Sequence, residues 1–185
     1  MSPRSALPLR LEYVLLGLIR RQPMHGYQLL RIWNEPHAIG MIWQIKPGPL
    51  YAALEKMELL GFLDSELLAG DCSPNRKQYR VTPAGEKIFL DWMQTPVSSA
   101  RDFRQLFLAK LYFSADVEKV VIADLFDQQR HLCQKWLASL QQKVLDGNEF
   151  ERQVFTFRVR QVQCILVWLQ ELLPDNHPNL FGEIS

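Results

Sequence analysis

Two adjacent cations, Arg76 and Lys77, open the alternating run Arg-Lys-Gln-Tyr-Arg-Val, a place where a fold has no structural need of neighbouring positive charges. Cations so placed suit the oxygens of a phosphate backbone, a contact that positions a protein on a polyanion without reading its sequence. Earlier in the chain Tyr51 is flanked by Lys46 and Lys56. Its hydroxyl can hydrogen-bond a phosphate or touch a base edge, or the ring can pack on a neighbouring helix. The two lysines are either further phosphate contacts or solvated surface charge. His25-Gly26-Tyr27 can set a helix N-terminus against a phosphate, where free N–H groups and the helix dipole favour an anion. Equally, Gly26 can serve a tight turn and Tyr27 the core. These residue types in this order point to a nucleic-acid backbone rather than to bond-breaking chemistry.

Catalytic and metal chemistry find no footing. His25, His37, His131 and His177 are scattered without metal-ligand spacing. The chain has no phosphate-cradling glycine-rich loop, no Gly-x-Ser-x-Gly turn and no defensible Cys/His pair. Cys72, Cys133 and Cys164 are odd in number and far apart. They argue against a disulfide scaffold or zinc site and fit a reducing cytoplasm. The sequence therefore predicts no enzyme, no cofactor and no metal.

The elements that must carry the cations are legible. Pro47 and Pro49 flank Gly48 at a helix start, since proline suits the first helical turn. Leu50, Ala53, Leu54, Met57 and Leu60 form one buried stripe of that helix, which Gly61 closes as a left-handed cap. Tyr51, Glu55 and Lys56 lie off the stripe. Phe62–Leu68 and Arg76–Val81 alternate and are joined by a Gly/Asp/Ser/Pro/Asn-rich turn, which reads as a hairpin. A compact helix running into a basic hairpin is how a winged helix grips duplex DNA.

Around this centre, Leu9–Arg21 has a helical stripe through Leu11, Val14, Leu15 and Leu18. Gln22-Pro23-Met24 breaks it, and His25–Trp33 restarts a helix with Tyr27, Leu30 and either Ile32 or Trp33 as expected apolar anchors. The short apolar run Ala38–Ile45 is a candidate brief strand pairing with the hairpin. Thr82-Pro83 opens another helix as N-cap and first residue. Met1–Pro8 reads as a loose arm.

The run Thr95–Ala100 marks a boundary, giving two expected domains, 1–95 and 96–185. Everything after it reads as helical: Arg101–Phe113, then the long Asp116–Leu145 and Glu149–Leu173. The final helix carries two apolar stripes. One is Phe150, Val154, Phe157, Ile165, Trp168 and Leu172; the other is Phe155, Val162, Leu166, Leu169 and Leu173. A helix apolar on two faces must be covered on both. Residues 101–145 cover one, and a second copy of the chain is the expected cover for the other, as a homodimer. The bland alternative is that the helix packs back on the N-terminal domain.

Bulk properties neither announce nor exclude nucleic acid. The net charge is +1 over 185 residues, and apolar residues make up 48%. Residues 1–95 hold eleven Lys and Arg against nine Asp and Glu, while 96–185 hold ten against eleven. The sign is right but small, so DNA affinity has to come from local placement of a few cations. No apolar run reaches the roughly 18 residues a membrane span needs, and the expected location is the cytoplasm. Of the five tryptophans, Trp92 lies near the boundary and is the candidate wall of an effector pocket, against the stronger alternative of ordinary core filling.

The order of elements resembles the PadR family of bacterial transcriptional regulators, and particular runs carry the likeness. Leu15-Leu16-Gly17-Leu18 is similar to its first-helix signature, and Pro23-Met24-His25-Gly26-Tyr27 to its Pro-x-His-Gly-Tyr turn. Pro47-Gly48-Pro49-Leu50-Tyr51-Ala52-Ala53-Leu54 is similar to its Pro-Gly-Ser-Leu-Tyr-Pro-x-Leu run. Leu60-Gly61-Phe62-Leu63 and the run from Arg76 to Gly85 resemble its wing and following helix. Gly48 and Tyr79 join the candidate DNA surface through these runs. Pro49 departs from the family's usual serine, which removes a hydroxyl that could bind phosphate. Residues 101–113 resemble the start of the C-terminal domain in the branch with a long helical tail.

The resemblance implies a homodimeric repressor or activator, with some members responding to small aromatic or hydrophobic molecules. The expected fold is mainly α with a small β-hairpin: an N-terminal winged helix-turn-helix plus a C-terminal α-helical dimerisation domain. The expected function is sequence-specific regulation of transcription on double-stranded DNA. The alternative, prompted by the weak net charge and by Glu55 and Glu58, is a winged-helix protein–protein adaptor without DNA binding. The outward face of Pro49–Leu60 offers no Arg or Asn for bidentate base contact.

Overall fold

The computed structural model describes residues 10–68 and 76–172. The chain divides after Trp92 into two compact units. The expected arm Met1–Pro8, the hairpin turn 69–75, Cys72, Leu173 and His177 lie outside the described residues.

The first unit begins with α1 (Leu11–Arg21), β1 (Met24–His25) and α2 (Gly26–Asn34). A 3-10 turn over Ala38–Met41 leads to α3 (Pro47–Leu59). The strands β2 (Leu63–Leu68) and β3 (Arg76–Val81) follow, then α4 (Pro83–Gln94). Three strands form one antiparallel sheet in the order β1-β3-β2. Three helices, a two-stranded wing and a short third strand beside it make a winged helix.

The third strand is not where the sequence predicts it. Ala38–Met41 winds as a 3-10 turn, and Met24–His25 pairs with β3 through Met24↔Tyr79 and His25↔Gln78. Two residues between a proline and a glycine show no period, so pairing with the long strand decides them, not local propensity.

The phase of α2 also differs from expectation. The helix starts at Gly26, which turns Leu29 and Trp33 fully inward and leaves Tyr27 69% exposed. Positions 26, 29 and 33 form the buried stripe, the i, i+3, i+7 spacing of one helix face. Asn34 then ties the approach to α3, its amide donating to the Ile45 carbonyl and its carbonyl oxygen accepting from Ile45 N, both at 3.0 Å.

Helix α3 buries Leu50, Ala53, Leu54 and Met57. Leu60, expected on that stripe, is 47% exposed because the helix has ended and the chain turns away. Gly61 makes the turn at φ +73°, a left-handed conformation that costs a residue without a β-carbon little. The hairpin register runs from Leu63↔Val81 to Leu68↔Arg76. Leu63 reaches the core while Leu67, on the same face, is exposed, since the strands extend beyond the helices. Thr82 caps α4: its hydroxyl accepts from Gly85 N at 3.1 Å and donates to the Gly61 carbonyl at 2.7 Å. The same side chain thereby starts one helix and fastens the end of another.

The second unit is helical. Ala100–Asp102 (α5), a π-turn over Phe103–Phe107 and Leu108–Tyr112 (α6) form one continuous run, followed by α7 (Lys119–Asp146) and α8 (Glu149–Glu171). Ser99 caps the first of these through Asp102 N. Asn148 and Glu151 form a reciprocal capping box between α7 and α8, at 3.0 and 2.9 Å. The core gathers at one end of the α7–α8 pair. Ile122, Leu125, Phe126, Gln129 and Cys133 of α7 are buried, as are Val162 and Leu169 of α8. Among the described residues no helix is long and apolar enough to cross a membrane.

Candidate nucleic-acid interface

One concave surface collects most of the residues singled out in the sequence. His25, Gly26, Tyr27, Tyr51, Arg76, Lys77 and Tyr79 line a single cleft of about 550 Å³. Three elements supply it: the β1–α2 junction, the start of α3, and the strand β3.

The β1–α2 junction is held by its own backbone. His25 N donates to the Gln28 side-chain oxygen at 2.9 Å. The His25 ring meets the wing, with Nδ1 3.2 Å from the Lys77 carbonyl. A carbonyl only accepts, so in a hydrogen bond here Nδ1 is the donor. Gly26 packs directly under Tyr51; a β-carbon there would overlap the tyrosine ring. Tyr51 itself is 46% exposed, so its hydroxyl is available at the cleft.

The start of α3 is nearly bare of amide donors. Pro47 and Pro49 have no N–H, and Leu50 N is bonded to the Lys46 carbonyl at 3.4 Å. Gly48 carries the remaining amide of the first turn, which makes no backbone hydrogen bond among the described residues, and has open space on its β side. Lys46, the N-cap residue, is exposed beside it.

The cations differ in their engagement. Arg76 is exposed at the start of β3 and, among the described residues, pairs with no acid. Lys77 reaches Glu58 Oε2 at 2.5 Å and stands 5.6 Å from the Tyr79 ring centre. The other oxygen of Glu58 accepts from the Ser65 hydroxyl at 2.5 Å. These bonds hold the Glu58 carboxyl below its ordinary range, Lys77 contributing most, and Glu58 in turn raises the Lys77 ammonium.

Three expectations change. Lys56 points to the opposite side of α3 and donates to Glu12 Oε1 at 2.6 Å. Glu12 is 7% exposed, so this lysine compensates a buried carboxylate that would otherwise be costly. Tyr79 borders the cleft but is only 6% exposed, packed within the sheet, and burial pushes its phenol up. It forms wall rather than contact. Trp92 is 7% exposed, stacked on Tyr13 at 5.1 Å and tilted against Phe89 at 5.7 Å. Its ring fills the core of the first unit.

Glu58, expected on the outward face of α3, meets a partner that neighbouring residues do not disclose. Only the hairpin register, which sets Ser65 opposite Tyr79 and brings Lys77 alongside, reveals its place.

On α8, Phe150 is 74% and Phe157 63% exposed, while Val154 and Ile165 are half-covered. Of the other expected interface residues, Leu172 is 7% exposed, while Trp168 is half-covered: it meets Phe103 edge-on at 5.8 Å and Phe107 at 6.2 Å and also borders a surface groove beside Cys164 and Val167. Among the described residues no cluster of side chains could hold a metal ion.

Comparison with known proteins finds the following likenesses. Residues 15–90 match the Transcriptional regulator PadR-like family. The negative transcriptional regulator PadR of Bacillus subtilis (strain 168) is 27% identical over 131 residues, 71% of each chain. Among solved structures, Bacillus subtilis PadR in complex with operator DNA is 22% identical, covering 90% of this chain and 98% of that one, with a TM-score of 0.46. The Vibrio cholerae virulence activator AphA is 20% identical over 89% of this chain and 96% of its own, with a TM-score of 0.40.

Proposed function

We propose that this chain, whose residues 15–90 match the PadR-like family of transcriptional regulators, is a homodimeric repressor that grips duplex DNA. Residues 1–95 do the gripping and 96–185 set the spacing. Helix α3 enters the major groove. Tyr51, the Gly48 amide and Lys46 meet the backbone at the start of that helix, Arg76 meets it from the wing, and His25, Gly26 and Tyr27 close the cleft between them.

One observation carries this reading: Tyr51, Arg76 and the β1–α2 junction share one open cleft although they lie far apart in sequence. Backbone contacts of this kind supply affinity and register. The exposed face of α3 carries Tyr51, Ala52 and Glu55, none of which makes a bidentate arginine or asparagine contact to a base. Discrimination then rests largely on half-site spacing and on DNA shape.

The dimer reading is supported by the far half of the α7–α8 pair. No residue between Glu149 and Gln161 is buried, and Phe150 and Phe157 stand exposed two turns apart. A second copy laying the same stripe against this one would complete a four-helix arrangement. It would hold two α3 helices about 34–36 Å apart, as successive half-sites require. Because Leu172 is packed within the chain, the patch is narrowed to Phe150, Val154, Phe157, Ile165 and the half-covered Trp168. Repression is the output of the Bacillus subtilis relative by its name. Response to a small aromatic or hydrophobic effector belongs to this reading, with Trp92, packed on Tyr13 in the core, not among the walls of its pocket.

The test is fluorescence anisotropy of labelled duplex DNA across a salt series. Arg76→Ala is expected to flatten the slope of log K against log salt by about 0.9 per chain, the value for one lost phosphate contact. Tyr51→Ala is expected to weaken binding about tenfold. A wild-type protein without salt-dependent DNA retention would favour the adaptor reading instead.

A further inference from the structure

We infer that Glu58 withholds Lys77 from DNA: it fixes the wing against α3 and holds the lysine ammonium away from the phosphate backbone, leaving Arg76 as the wing's backbone cation. The inference rests on the DNA-binding reading above and deepens it. Both carboxylate oxygens of Glu58 are occupied, Oε1 by the Ser65 hydroxyl and Oε2 by Lys77. Ser65 lies on β2 and Lys77 on β3, so one helical carboxylate ties both strands of the wing. An isolated exposed ion pair is weak because it must immobilise two long side chains. Here the carboxylate is already immobilised by Ser65, and the Lys77 ammonium also lies near the Tyr79 ring. Glu55, one turn earlier on α3, adds a second negative charge that bears on Lys77. Arg76, next in the chain, has no such tether among the described residues.

The consequence is a limit on sequence-independent binding. A wing with two free cations would gain affinity for any duplex, since the phosphate term is blind to sequence. A wing with one keeps more of its affinity dependent on the fit of α3. Glu58 is thus a positioning residue, acting through Lys77 and Ser65.

The experiment uses the full chain and a fluorescein-labelled duplex of mixed sequence, so no operator need be known. Glu58→Gln keeps an oxygen for Ser65 and removes the charge. Its slope of log K against log salt is expected to steepen by about 0.9 per chain as Lys77 reaches a phosphate. Lys77→Ala alone is expected to leave the wild-type slope unchanged, and Glu58→Gln with Lys77→Ala to return to it. Far-ultraviolet circular dichroism confirms that each variant is folded. An unchanged slope in Glu58→Gln, a loss of about 0.9 in Lys77→Ala alone, or a double variant as steep as Glu58→Gln would each overturn the inference while leaving DNA binding intact. A wild-type protein that does not bind the duplex at low salt would overturn the reading beneath it as well.

Discussion

Gly26 carries the ring of Tyr51: the two are so close that a β-carbon on residue 26 would occupy the space of the tyrosine's far edge. The contact joins the first residue of α2 to the second turn of α3. It accounts for the pairing of a glycine in one sequence run with a tyrosine in another. Because the overlap is with the end of a side chain rather than with backbone, substitution moves Tyr51 before it harms the fold.

Gly26→Ala is therefore expected to separate stability from binding. Alanine is a better helix former than glycine by up to about 1 kcal/mol in a helix interior and by less at this first position, which offsets part of the steric cost. The melting temperature should change little while affinity for duplex DNA falls about tenfold. In a Tyr51→Ala background the same change should cost no further affinity, since the ring it displaces is gone. Thermal melts and anisotropy on the four proteins measure this.

The α8 stripe leads to a second expectation. Phe150→Glu together with Phe157→Glu places two charges on a face that has no cover in the single chain. Light scattering is expected to show the dimer replaced by monomer, with helix content retained because neither residue is buried. Binding to a two-half-site duplex should fall by 10²-fold or more as the avidity of paired heads is lost. A dimer that survives both charges would remove α8 from the interface.

Within the second unit, Gln129 is fully buried and holds Val97 by both backbone groups: its side-chain oxygen accepts from Val97 N at 2.7 Å, and its amide donates to the Val97 carbonyl at 3.3 Å. Gln129→Leu fills the space but leaves two buried polar groups unmatched, each costing about 1–3 kcal/mol. A loss of roughly 2–5 kcal/mol in urea unfolding is expected, with the wing cleft unaltered.

Lys110 gives the pH dependence. It is 1% exposed, and burial lowers its pKa from 10.5 to about 7. Below about pH 7 both folded and unfolded chains hold the proton, so this group adds no slope. Between about 7 and 10.5 the unfolded chain keeps the proton that the folded chain has released, and stability rises with pH. Lys110→Met removes this contribution. The stability of the variant relative to wild type should therefore decline from pH 7 to pH 10, by up to about 1.4 kcal/mol per unit. Urea titrations at pH 7, 8.5 and 10 measure it; a constant difference would contradict the assignment.

Local signals made part of this molecule legible in advance. The Pro-Gly-Pro start and Gly61 end of α3, the Thr82-Pro83 start of α4 and the alternation of the wing are written in neighbouring residues. So is the cation pair at Arg76 and Lys77. What stayed hidden depends on tertiary register. The strand Met24–His25 exists only because β3 lies beside it. Tyr27 turns outward because tertiary packing buries the face of α2 that carries Gly26, Leu29 and Trp33. Lys56 and Lys77 look alike in sequence, yet one meets Glu12 and the other Glu58, partners set by which face of α3 each approaches. Charge alone could not tell a phosphate contact from an internal ion pair.

The central claim is that duplex DNA docks on the cleft between α2, α3 and the wing. Amide chemical shifts of the isotopically labelled full chain, followed while duplex DNA is added at low salt, test it most directly. The account predicts the largest shifts at Gly26, Gly48, Tyr51 and Arg76, with the amides of Lys56 and of α8 little changed. Shifts confined to α7 and α8, or none at any ratio of DNA to protein, would contradict it.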